Sequence, residues 1–117
     1  METIEKKRFD SPDEVRDLPN SKIDVVQLCG QDIMQATFKP GWRWSKDVKP
    51  QAGTDSCQAH HLGYAISGHL HVVMDDGKKM DFGPGDVMHV PSGHDAWVEG
   101  DDPYVGLDFT AGSTYAK

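Results

Sequence analysis

The sequence predicts an all-β domain of the jelly-roll barrel kind, and three observations carry that expectation. Seven short apolar runs fall within fewer than ninety residues. Nearly every gap between them holds turn-forming residues, and 12 Gly and 7 Pro interrupt the chain too often for a helical bundle. A chain of 117 residues suffices for one such domain. The expected layout over 1–117 is an N-terminal arm, 1–22, followed by a β-barrel, 23–112.

The first twenty residues are polar. Within them Ser11-Pro12-Asp13-Glu14 gives a helix-start signal of Ser cap, Pro at the first helical position and acids behind it. A short helical turn is therefore expected between Pro12 and Leu18. From Ile23 onward the apolar runs are Val25 to Leu28, Ile33 to Phe38, His61 to Ile66, Leu70 to Met74, Val87 to Val90, Ala96 to Val98 and Tyr104 to Phe109. Turn signals separate them: Lys39-Pro40-Gly41, Asp75-Asp76-Gly77, Gly83-Pro84-Gly85-Asp86, Pro91-Ser92-Gly93 and Gly100-Asp101-Asp102-Pro103. Asp76-Gly77 is the strongest hairpin signal among them. Gly41 to Ser56 is too long for an ordinary connection and reads as a functional loop or a cover over the barrel.

A formal net charge of −7 argues against nucleic acid as a partner, because that affinity needs clustered Lys and Arg. Met1 to Asp10 holds six charges and no apolar run, and nothing later approaches a spanning helix, so neither signal peptide nor membrane anchor is expected. These features suggest a cytoplasmic protein. In that reducing setting Cys29 and Cys57 are expected as thiols or a metal ligand rather than as a bridge.

Two motifs supply a resemblance. One is Gly85-Asp86-Val87-Met88-His89-Val90-Pro91-Ser92-Gly93, a glycine, five residues, then Pro-x-Gly; the other is Gly68, preceded by His61-Leu62-Gly63-Tyr64-Ala65-Ile66-Ser67. Together the stretch from Cys57 to Phe109, about half the chain, resembles the cupin superfamily. The resemblance implies a double-stranded β-helix with a metal site inside the barrel. The family's metal positions have changed identity here. Its glutamate position is His61, its paired histidines fall on Asp55 and Cys57, and its last histidine falls on Ala96, with His94 two residues earlier.

Side chains alternate along a strand, so Cys57, Ala59, His61, Gly63 and Ala65 share one face while Leu62, Tyr64 and Ile66 share the other. Simple patterning would bury the bulky set. The cupin register instead turns Cys57 and His61 inward, where the small Ala59, Gly63 and Ala65 leave space beside them. His94 keeps the inward parity of Ala96 while sitting about 7 Å nearer the rim. Cys57, His61 and His94 are thus the expected ligands of a divalent transition metal, Zn or Fe. His69 and His71 follow the kink at Gly68 and are expected on the outside.

Trp42, Arg43 and Trp44 bring two rings and a guanidinium into the long loop, where they read as a lid or as contacts to an organic ligand. His60 and His89 join them as further candidate ligand contacts, His60 facing away from His61 unless a bulge exchanges the two. Two functions fit this pattern: a metal-dependent enzyme acting on a small organic molecule, or a non-catalytic small-molecule sensor without metal. An outward stripe of Leu62, Tyr64 and Ile66 also calls for a cover, and a homodimer is the expected one.

Overall fold

The computed structural model of the chain describes residues 3–115. Nine strands form there: β1 (Glu14–Leu18), β2 (Ser21–Leu28), β3 (Gln31–Phe38), β4 (His61–Ser67), β5 (His69–Met74), β6 (Lys79–Phe82), β7 (Val87–Val90), β8 (His94–Glu99) and β9 (Tyr104–Asp108). Two one-turn helices, α1 (Trp44–Asp47) and α2 (Lys49–Ala52), lie between β3 and β4. All strand pairs are antiparallel. They make a six-stranded sheet in the order β1-β2-β3-β9-β4-β7 and a three-stranded sheet in the order β6-β5-β8.

Alternation builds the core between the two sheets. The larger sheet sends in Ile23, Val25, Met34, Ala36, Phe38 and Ala65, and the smaller one answers with Leu70, Val72, Phe82, Ala96 and Val98, all of them buried. The register of β4 follows the motif-based expectation: Gly63 and Ala65 face inward, and Leu62, Tyr64 and Ile66 are 43%, 40% and 41% exposed. The Asp76-Gly77 turn joins β5 to β6, with Gly77 N–H donating to Met74 O.

The structure corrects the N-terminal expectation. Residues 14–18 form β1, which pairs with β2 from Glu14↔Val25 to Leu18↔Ser21, so the sheet begins inside the segment expected to be an arm. The helix-start pattern is local, whereas pairing with β2 satisfies the whole strand and buries Arg16. Lys79 to Phe82 also escaped the apolar-run criterion, because Met80 faces solvent and only Phe82 is buried.

Two glycines set close approaches. At Gly68 the backbone has φ 75°, and a Cβ would lie 2.2 Å from Pro103 O, so this residue alone permits the turn from one sheet into the other. At Gly63 a Cβ would meet Leu107 O at 2.1 Å across the β4–β9 seam. Gly63→Ala is accordingly expected to lower the free energy of unfolding by about 3 kcal/mol in urea titrations, since backbone carbonyls cannot step aside as a flexible side chain can. A loss below about 0.5 kcal/mol would contradict that packing.

Candidate metal centre

Three elements place one donor each. His61 opens β4, His94 opens β8, and Cys57 lies in the segment ahead of β4, where it forms an isolated bridge with His94. In that bridge Cys57 N–H donates to His94 O at 2.7 Å and Gly93 N–H donates to Cys57 O at 2.7 Å. The three donor atoms lie within 4.8 Å of one another. Cys57 and His94 are buried and His61 nearly so.

A second layer orients the imidazoles. His61 Nδ1 meets Asp108 Oδ2 at 2.5 Å and turns Nε2 toward Cys57 Sγ, 3.8 Å away. His94 Nδ1 donates to Pro91 O at 2.8 Å. Asp108 ends β9, and its other oxygen accepts the N–H groups of Thr110 and Ala111 at 3.0 and 2.9 Å. The carboxylate thereby folds the C-terminal turn that carries Tyr115 edge-on to the His61 ring, centroids 5.6 Å apart. Arg16 fixes this turn from β1 by donating from Nη1 to Tyr115 O at 2.7 Å.

Burial pushes the pKa of the Cys57 thiol up, but hydrogen bonds and charge from His61 and His94 outweigh it and bring it down to about 6. Burial acts to lower His61, yet the Asp108 and Cys57 contacts prevail and lift it to about 9. Asp108, despite its own burial, is held below the usual carboxylate range by His61 and by the two turn amides. Without metal, Cys57 and His61 are therefore a thiolate and an imidazolium at neutral pH. Burial, followed by the nearby Cys57 and Asp108 charges, pushes Tyr115 well above its ordinary value.

An inner cavity of about 60 Å³ adjoins His61 and His94. Its walls are apolar. Trp42 stacks on Phe38 with ring centroids 3.8 Å apart, Tyr104 donates to Met88 Sδ at 3.3 Å, and the buried indole N–H of Trp42 has no hydrogen-bond partner. Trp42 and Trp44 are each 2% exposed and line this cavity.

Arg43, His60 and His89 do not reach the interior. Arg43 bridges Trp97 of β8, and the two-residue period that buries Trp42 and Trp44 turns it outward, with its guanidinium 4.3 Å above the Trp97 ring. His60 also falls on the outer parity, one residue from His61. His89 pairs opposite the exposed Leu62 on β7, and its Nε2 lies 3.0 Å from His60 Nε2 on the outer face. A second donor group, His71, Asp81 and Glu99, sits on the outside of the smaller sheet. Its members are engaged otherwise: His71 bonds Asp81, and Trp97 Nε1 donates to Glu99 at 2.7 Å.

Asp108, Tyr115 and Arg16 were absent from the sequence-derived site. Asp108 had a readable signal, a carboxylate on the inward parity of Tyr104 and Gly106. Tyr115 and Arg16 had none, since their contact spans 99 residues.

Among solved structures, the polyketide cyclase RemF from Streptomyces resistomycificus is 12% identical over 92% of this chain and 79% of its own, with a TM-score of 0.65. A protein of unknown function from Rhizobium leguminosarum is 17% identical over 93% of this chain and 97% of its own, with a TM-score of 0.64. A cupin-like protein from Thermotoga maritima is 12% identical over 83% of this chain and 71% of its own, with a TM-score of 0.55. These likenesses show the cupin fold. No protein-family model and no curated protein matches the chain.

The Cys57–His61 pair is open to direct titration. In metal-free protein carrying Cys29→Ser, the thiolate ultraviolet absorbance is expected to appear with a midpoint near the 6 given above. His61→Gln removes both the hydrogen bond and the positive charge, so the midpoint should move toward alkaline pH. An unchanged midpoint would refute the coupling.

Proposed function

We propose that this cupin-fold chain binds a divalent transition metal, zinc or iron, on Cys57, His61 and His94 and acts there on a small organic molecule. The observation that carries the reading is the orientation of the donors. Each imidazole commits Nδ1 to an acceptor, Asp108 or the Pro91 carbonyl, which leaves Nε2 for ligation. A low-lying thiol supplies the third donor, and three protein donors leave a position for water or substrate. When bound, such an ion supplies Lewis acidity or redox chemistry at that position. The residues around it have separable tasks: Asp108 holds the His61 tautomer, Trp44 and Tyr115 keep bulk water out, and Trp42 offers an indole N–H to a polar atom entering the inner cavity.

Elemental analysis of protein purified without added metal is expected to find about one ion per chain. Cys57→Ser should lose most of it, and Asp108→Asn should weaken retention roughly 10- to 100-fold. His69→Gln, on the exposed end of β5, should change nothing. Equal losses in Cys57→Ser and His69→Gln would refute this ligand set.

One observation favours a second reading without metal: thiolate, imidazolium and carboxylate run in sequence through Cys57, His61 and Asp108, the arrangement that activates a cysteine nucleophile. A metal-free preparation whose Cys57 is alkylated far faster than Cys29 would select it. A metal-free and unreactive preparation would select a non-catalytic sensor.

We also infer a homodimer through the outer face of β4 and β7, in a reducing cytoplasm that keeps both cysteines as thiols. Tyr64 lies opposite Val87, which is 75% exposed, on the edge strand of the larger sheet, and Leu62 and Ile66 extend the stripe. A second copy covers this stripe and the strand edge together. Among the described residues no helix is long and apolar enough to cross a membrane, so membrane insertion by a helix there does not account for the stripe. Light scattering at micromolar concentration should give twice the 12.9 kDa chain mass, falling to one chain mass in Tyr64→Glu. A monomeric parent protein would sink the dimer.

A further inference from the structure

We propose that the organic part of the substrate binds not in the barrel interior but in an outer groove on the Cys57 side, between α2 and the C-terminal turn, and that it is an uncharged planar molecule carrying an amide, carbonyl or hydroxyl group. The proposal rests on the reading of Cys57, His61 and His94 as the reactive centre and adds where, and for what, that centre is open.

Size separates the two spaces. The inner cavity holds about 60 Å³, whereas the groove holds about 360 Å³. A cavity of roughly 150 Å³ is what benzene occupies in a protein core, and organic ligand sites begin near ~300 Å³. The interior therefore admits water or the reacting end of a ligand, and only the groove has room for its body. Cys57 lines the groove, while His61 and His94 line the inner cavity. Trp44 and Tyr115 line both, so the cluster stands at their junction with two aromatic rings as the partition.

The lining selects the chemistry. Thr54, Gln58 and Thr114 contribute hydroxyls and an amide, of which Thr54 Oγ1 and Gln58 Nε2 also donate to Ser56 and keep their oxygens as acceptors, and Val48, Ala52 and Ala59 contribute apolar surface. Among the described residues no Lys, Arg, His, Asp or Glu lines the groove, so away from its Cys57 end a charged ligand would lose hydration without gaining a counter-ion. The Trp44 and Tyr115 rings suit a flat partner, which can stack or meet them edge-on. Tyr115 is held in place by Arg16, which makes the far wall part of the fold rather than a loose end.

Benzamide tests the proposal, with benzoate as its charged counterpart of nearly the same shape. Titrated into chelator-treated, isotope-labelled protein and followed by amide resonances, benzamide at millimolar concentration should give saturable shifts at Ala52, Thr54, Cys57, Ala59 and Thr114. Val72 and Ala96, inside the barrel, should not move. Ala52 is exposed at the end of α2, so Ala52→Trp should fold normally, fill the groove and weaken benzamide by roughly tenfold or more. Shifts confined to the barrel residues, no saturable shift, undiminished binding by Ala52→Trp, or benzoate binding as well as benzamide would each overturn it. Metal content is read separately, on protein purified without chelator or added metal. Groove binding in a protein that retains no ion would remove the metal reading alone, and a retained ion without groove binding would remove this proposal alone.

Discussion

His61 donates from Nδ1 to Asp108 across the β4–β9 seam, and both the barrel and its chemistry lean on that bond. The seam is tight because Gly63 allows the backbone of β4 to approach Leu107 closely. Asp108 then uses its second oxygen to start the C-terminal turn, and the turn delivers Tyr115 against the face of His61. Loss of the carboxylate would thus release a tautomer, a turn and a cavity wall together. This is the usual economy of a second-layer acceptor, which fixes its histidine through the nitrogen that does not ligate.

Charge at the centre is partly balanced internally, the His61 cation lying between the Cys57 and Asp108 anions. The thiol of Cys57 is lowered and the imidazole of His61 raised, so the proton released by one is held by the other. Such coupled groups titrate as a pair, and at neutral pH folding neither takes up nor releases a proton on their account. The arrangement keeps a buried anion beside a buried cation, the condition under which burying either is tolerable.

The outer surfaces carry a different logic. On the smaller sheet Arg43, Trp97 and His71 stack in one column, 4.3 Å from guanidinium to indole and 4.5 Å from indole to imidazole, closing the long loop onto β8. On the larger sheet His60 and His89 meet among exposed apolar residues. Arg43, His60 and His89, candidate ligand contacts in the sequence, all lie on these outer surfaces, whereas His71 is on the outside as expected.

The sequence by itself determined seven of the nine described strands, most of the turns and, through the cupin resemblance, the inward register of β4 and the grouping of Cys57, His61 and His94. The strands follow from a two-residue period and the turns from glycines such as Gly68, Gly85 and Gly93, whose backbones have φ between 75° and 92°, while the choice between the two faces of β4 came from the motif resemblance. Local chemistry is legible because neighbouring residues decide it. Only the tertiary structure decided that residues 14–18 are a strand, that Arg43 faces out, and that Asp108, Tyr115 and Arg16 complete the site. Each of these depends on a partner far along the chain, β2 for β1, Trp97 for Arg43, and a contact spanning 99 residues for Arg16, and no local pattern encodes such pairings.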